Sequence, residues 1–185
     1  KELPQLEKVL DKGYEVLYFT DNVDEFMANI IGNYSDKPFK SLLQGDLDLD
    51  TKEEKEEVEK KANDNKDLLA TLKEELKDKV SDVKISTRLK TSPVCLVSDD
   101  GISINMAKTL NAMNQGNIQA NKILEINPDH ELFKALAKVY ETNKDLSEYA
   151  NLLYDQALLI AGLTIEDPLA YTKRVSDLML KALER

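Results

Sequence analysis

Apolar positions change their spacing from segment to segment along this chain, and the spacing predicts the elements. Leu6, Val9 and Leu10 recur at helical intervals over 4–12, and Gly13 stops that helix. "YEVLYFTD" (14–21) reads as a β-rich run. "NVDEFMANII" (22–31) sets Val23, Phe26, Met27 and Ile30 at helical spacing, and "KPFKSL" follows as a short extended piece. This α-β-α-β order predicts a small α/β unit over 1–43. From 52 to 61 every residue except Val58 is charged, the pattern of a solvated helix or linker with i,i+4 charge pairs. Leu68, Leu69, Leu72, Leu76 and Val80 then restore an apolar stripe, so a boundary is expected near 45–60.

Val83, Ile85, Thr87 and Leu89 alternate as in a half-buried strand (82–89). "VCLVS" (94–98) is a continuous apolar run, expected as a central strand, and "KILEINP" gives a third. Asn127 is then expected to cap a helix whose first residue is Pro128 and whose stripe is Leu132, Phe133, Leu136, Val139 and Tyr140. Between the second and third strands lies "GISINMAKTLNAMNQG" (101–116). It predicts a helix over 102–113 with Ile102, Met106, Leu110 and Met113 on one side and Lys108 turned away. That methionine-bearing stripe is either a core face or a surface left open for a partner.

The last two predicted helices have two apolar stripes each. In "DLSEYANLLYDQALLIAG", Asp145 and Glu148 have capping-box spacing and Gly162 is the stop. Tyr149, Leu152, Leu153 and Leu159 make one stripe; Ala150, Tyr154, Ala157, Leu158 and Ala161 make the other. In "DPLAYTKRVSDLMLKALER", Asp167 caps and Pro168 begins the helix. Its stripes are Tyr171, Val175, Leu178 and Ala182, and Leu169, Met179, Leu180 and Leu183. A helix apolar over most of its girth must be covered on most sides. Each large aliphatic side chain left in water forgoes about 1.5–3 kcal/mol. Two readings answer this: a second copy of the chain completes a four-helix bundle across a twofold axis, or this domain's own sheet wraps both helices.

Composition narrows the function classes. With 42% apolar and 32% charged residues the 185-residue chain is globular in character. A formal net charge of −10 argues against nucleic acid and anionic membrane as partners. No apolar run reaches the roughly 20 residues of a membrane span. One cysteine, Cys95, builds no disulfide framework, and a reducing, cytoplasmic setting is expected. Glycine loops of the phosphate-binding type, CxxC pairs and HExxH are absent from the sequence. His130, beside a helix start, reads as structural, and Cys95 as a buried strand thiol. The acidic pairs Asp99-Asp100 and Asp48-Asp50 could hold a metal or form an acid/base dyad, but their setting is turn and linker. No catalytic residue, no metal and no cofactor is expected within the chain. The opening "KELPQLEKVL" reads as a helix already under way without an initiator methionine, so a fragment of something longer is expected.

"YEVLYFTDNVDEFM", "KPFKSL", "VKISTRLKTSPVCLV", "LEINPDHEL" and "LLYDQALLIAGLTIEDPLAYTKRVSDLM" occur in an order that resembles the C-terminal part of the heat shock protein 90 chaperone family, of the bacterial type. The likeness covers essentially the whole chain; only 44–66 lacks a recognisable counterpart. It implies an α+β (α/β) fold. Residues 1–45 would be the last subdomain of the family's middle domain, 46–66 a charged connection, and 67–185 the C-terminal dimerisation domain. That domain would contain a short β-sheet, an amphipathic helix and terminal helices forming a dimeric four-helix bundle. ATP and magnesium would belong to an N-terminal domain of the parent protein. Client contact would fall to Ile102, Met106, Thr109 and Leu110, with Met113 on the same stripe, and to Glu25, Phe26 and Asn29 across the cleft. Thr109 departs from the larger apolar residue frequent in relatives, and Phe26 from their tryptophan. The expected dimer interface is Tyr149, Leu152, Leu153, Leu159, Leu169, Tyr171, Val175, Leu178, Met179 and Leu183. The expected partners are a second copy of the chain and unfolded or partly folded proteins. The ending "LKALER" lacks both "EEVD" and "KDEL", so repeat-domain co-chaperones and the endoplasmic reticulum are not expected. A plain dimerising scaffold and an acidic-site metal enzyme remain the alternatives.

Overall fold

A computed structural model describes residues 3–113, 116–142 and 145–184. A 3-10 turn, Pro4–Leu6, runs into α1, Glu7–Asp11, and Gly13 ends it at φ 77°, a conformation glycine adopts without steric cost. Residues 14–20 form no β-ladder with any described residue, which corrects the strand expected there. Their aromatic and β-branched side chains suit a pleated surface, but a strand also needs a neighbour for its backbone groups. α2, Asp24–Ile31, follows. The two-residue strands β1, Asn33–Tyr34, and β2, Lys37–Pro38, then close a hairpin over Ser35 and Asp36, both at positive φ.

The charged stretch is helical. α3, Lys52–Asp64, starts at a capping box in which Thr51 Oγ1 accepts from Glu54 N–H and the Glu54 carboxylate accepts from Thr51 N–H. No residue of α3 is buried, as its charge pattern requires. Asn65 separates it from α4, Lys66–Glu75, which buries Leu68, Leu69 and Leu72.

The sheet holds β3, Asp82–Ile85, β4, Val94–Ser98, and β5, Lys122–Ile126, in the order β3-β5-β4; β5 runs parallel to β3 and antiparallel to β4. β5 is therefore central, not β4 as its apolar run suggested. β4 is nonetheless buried at every position. Its outer edge is covered by the 43–45 loop, where Ser98 N–H donates to Leu43 O (3.0 Å) and Gly45 N–H to Ser98 O (2.9 Å). β3 also stops four residues short of the expected 89, because the chain turns at Ser86 to place Arg88 beneath the sheet.

Alternation gives the sheet two different faces. Val83, Ile85, Val94, Leu96, Leu124 and Ile126 meet α4, α6 (Glu131–Glu141) and α7 (Ser147–Ile160) in the main core. The other face carries Leu89, Cys95, Val97 and Ile123 around a buried ion pair, Arg88 Nε to Glu125 Oε2 at 2.9 Å. Ser86 Oγ also donates to Glu125, while the other Arg88 nitrogens donate to the carbonyls of Leu42 and Gly45. That single arginine thus satisfies the loop that closes the β4 edge.

Two helix starts differ from expectation. α6 begins at Glu131, not Pro128: His130 is the cap, its Nδ1 accepting from Leu132 N–H, and Asn127 instead closes the preceding turn onto Asp129 N–H. α7 has no capping box. Asp145 accepts from Ser147 N–H, and Glu148 pairs with Arg174. The last helix, α8, Pro168–Leu183, starts as expected with Asp167 accepting from Ala170 N–H.

Candidate functional site

The candidate surfaces lie on four helices. α5 spans Ile104–Ala112, capped by Ser103, whose Oγ accepts from Met106 N–H at 2.9 Å. It is shorter than the expected 102–113: Ile102 precedes it and Met113 follows it, and Asn114 and Gln115 lie outside the described residues. Its inner side is Ala107, the one buried residue, with Ile104 packed against the main core. Met106, Thr109 and Leu110 are half-buried, whereas Ile102 and Met113 are exposed. The returning chain is tied to the far end by Asn111, which exchanges two hydrogen bonds with the backbone of Ile118 (2.7 and 2.8 Å).

α2 is barely held. Ala28 is its one buried residue, Glu25 and Phe26 are half-buried, and Asn29 is exposed. The Asp24 carboxylate accepts from the N–H groups of Thr20 and Asp21 and so fixes the entry to the helix. Around it Leu17, Val23, Ile30 and Tyr34 stand open to solvent, Ile30 at 85%. This is a larger apolar exposure than α5 offers.

α7 and α8 divide the expected dimer residues into two groups. The core face of α7 is Ala150, Leu153, Tyr154, Ala157 and Leu158. Leu153, named among the expected interface residues, is 4% exposed and packs in the core of its own subunit. Tyr149 packs against the same core, Leu152 is half-buried, and Leu159 is exposed. On α8 no residue is buried. The side facing α7 is marked by Arg174, which donates to Asp155 (2.9 Å) and lies 3.3 Å from Glu148. Tyr171, Val175 and Leu178 share that side and are half-buried. The opposite side presents Leu169, Met179, Leu180 and Leu183, with Leu169 at 84% and Leu183 at 81% exposure.

The middle of α7 holds a polar cluster that the hydrophobic pattern could not reveal. Tyr154 is fully buried, and Lys122 Nζ donates to its hydroxyl at 2.6 Å. Lys79 and Lys122 each lie 5.3 Å from the ring centre, within cation–π range. Burial pushes the Tyr154 hydroxyl up and the Lys122 ammonium down from their ordinary values. It also pushes Asp155 up, against the pull of Lys79 and Arg174.

Cys95 is buried, and desolvation raises its thiol well above the ordinary value, which keeps it protonated. Asp99 accepts from Gly101 N–H and from Asn121, the bonds of a turn. Among the described residues no three His, Cys, Asp or Glu side chains converge to hold a metal ion, and no helix is long and apolar enough to cross a membrane.

A family model described as "Hsp90 protein" matches residues 1–185. This chain belongs to the Hsp90 family. Chaperone protein HtpG of Bacillus subtilis (strain 168) is 48% identical to it over 182 residues, and that of Clostridium botulinum (strain Loch Maree / Type A3) is 49% identical over 181. Each match covers 97% of this chain but 29% of the relative, so this Hsp90-family chain spans under a third of the length of its relatives. Its α+β architecture agrees with the resemblance carried by the quoted segments.

Proposed function

We propose that this chain is the dimerisation and client-contact part of an HtpG-type chaperone, whose ATP and magnesium site lies in chain beyond these 185 residues. The observation that carries it is α8: sixteen residues, none buried, with Leu169, Met179, Leu180 and Leu183 aligned on the side away from α7. Burying each of these against a twofold mate would be worth about 1.5–3 kcal/mol, and α7–α8 from two copies make four helices. On this reading residues 1–45 are the end of the middle domain, and the open apolar side chains of 14–34 face the rest of it. Ile102, Met106, Leu110 and Met113 form the client-contact stripe, where unbranched thioethers adapt to many partner shapes. A cytoplasmic location is part of the same proposal.

Sedimentation equilibrium of the chain and of its Leu180→Glu variant tests the dimer. A dimer at micromolar concentration that becomes a folded monomer in the variant supports the proposal; a monomeric parent chain refutes it. For client contact, Met106→Glu should leave fold and dimer intact and weaken binding of a non-native polypeptide at least severalfold. Unchanged binding would reduce the chain to a dimerising scaffold.

A further inference from the structure

Glu7 is the first residue of α1, yet its carboxylate is given over to a turn 83 to 85 residues away. Five donors from three consecutive residues converge on it: the N–H groups of Lys90 (2.5 Å), Thr91 (2.8 Å) and Ser92 (3.1 Å), and the hydroxyls of Thr91 (2.9 Å) and Ser92 (2.5 Å). Successive backbone N–H groups turned to one side make an anion-binding concavity.

The concavity is built from its other side. Buried Asn127 donates through Nδ2 to the carbonyls of Lys90 and Ser92, both at 3.1 Å, and its own N–H donates to Pro93 O at 2.9 Å. The carbonyls of the turn therefore point at Asn127 and its N–H groups at Glu7. None of those bonds depends on Glu7, so the donors stay in place when the carboxylate leaves. Partial burial alone would raise the pKa of Glu7; the bonds from Ser92, Lys90 and Thr91 outweigh it and hold the carboxyl below its ordinary value.

The rest of the N-terminal segment is fastened to the same region. Gln5 Nε2 donates to Leu96 O at 2.8 Å, Lys8 N–H to Arg88 O at 3.2 Å, and Lys90 pairs with Asp11 at 2.5 Å. Past Gly13 the chain runs into the exposed 14–41 stretch. Glu7 is thus the carboxylate among several ties that pin the N-terminal segment to the sheet just before the exposed stretch begins.

We infer that the 90–92 turn is a preformed carboxylate-binding site whose resident ligand is Glu7, and that its exchange in and out is the latch releasing residues 3–13 from the sheet. A latch of this kind takes a small carboxylate in place of the missing side chain. The inference does not depend on dimerisation or client contact.

Amide hydrogen exchange on the whole chain tests it, with the parent, Glu7→Ala and Glu7→Gln compared in sodium acetate and in sodium chloride of equal ionic strength. In Glu7→Ala the amides of 90–92 and 3–13 should exchange at least tenfold faster, with α7 unchanged. Acetate, and not chloride, should restore protection saturably in that variant and leave the parent unaffected. Glu7→Gln, which keeps the shape and loses the charge, should fall between the two and serves as the readout if the alanine variant does not fold. Unchanged exchange at 90–92 in the variants, or protection restored equally by both salts, would overturn the latch.

Discussion

The body around β5 and the stretch from 14 to 41 are both rich in apolar side chains, and they end in opposite situations. In the body, Leu72, Leu76, Leu96, Leu124 and Ile126 are at most 2% exposed, because the sheet and the helices α4, α6 and α7 supply one another with neighbours. In 14–41 the elements are short, Ala28 is the one buried residue of α2, and Leu17, Ile30 and Tyr34 lie open at 73%, 85% and 74%. The difference is one of available neighbours, not of hydrophobicity. α8 repeats the lesson within one helix, half-covered by α7 on the Arg174 side and bare on the other. Apolar pattern states that a face needs cover; only the fold states whether this chain provides it.

The largest effect that would sharpen this comparison is at Arg88, which is fully buried. Arg88→Ala strands the Glu125 carboxylate and frees the carbonyls of Leu42 and Gly45. It should cost about 3–5 kcal/mol in urea unfolding. Replacing Arg88 and Glu125 together by methionine should recover much of that, since a matched apolar pair removes the desolvation cost along with the attraction. If the single variant unfolds within 1 kcal/mol of the parent, the second face of the sheet is not a closed interior, and the contrast with 14–41 narrows.

Much of this architecture was legible in the sequence. The stripe Leu68–Leu72–Leu76 docks as its spacing demands, the charged run of α3 is a solvated helix, and Asp167-Pro168 starts α8. What stayed hidden depends on contacts distant in sequence. A hydrophobic run cannot distinguish a central strand from an edge strand covered by a loop, and β4 is the latter. A polar residue in an alternating strand reads as solvent-facing, and Arg88 and Glu125 both defeat that rule because each satisfies the other. For the candidate surfaces, the two stripes of α8 were visible at once. That Leu153 belongs to the core while Leu159, on the same expected stripe, is exposed required knowing where the sheet lies. Nothing in the pattern marked Glu7, whose partners are three ordinary turn residues.

A smaller, pH-dependent effect is expected where the N-terminal segment meets α3. Lys8 pairs with Asp50, and Lys12 donates to Glu54 Oε2 at 2.8 Å. The bond from Lys12, then that from Thr51 N–H, hold the Glu54 carboxyl at about 2. A carboxylate depressed in the folded state contributes stability above its ordinary value near 4.5, and that contribution is lost as pH falls toward 2. The attachment of residues 3–12 to α3 should therefore weaken between pH 4.5 and 2. Titration of the Glu54 carboxyl carbon by NMR should show its midpoint rise toward the ordinary value in Lys12→Met. An unchanged midpoint in that variant would mean that the capping box and Lys8, 3.3 Å from Glu54 Oε1, hold the proton off without Lys12.

The smallest expected effect is the one that tests the other half of the comparison. At 85% exposure Ile30 has little apolar surface to lose on unfolding, so Ile30→Ser in the isolated chain should change stability by no more than about 0.5 kcal/mol. Leu72→Ala, from a site 1% exposed, should cost about 2–5 kcal/mol in the same assay. The two values bracket what cover is worth to one aliphatic side chain. Should Ile30→Ser cost more than 1 kcal/mol, the 14–41 stretch would have to be packed against something in solution, and a second copy would be the first candidate. A concentration series separates the cases: a penalty that vanishes on dilution belongs to association, and one that persists belongs to the fold.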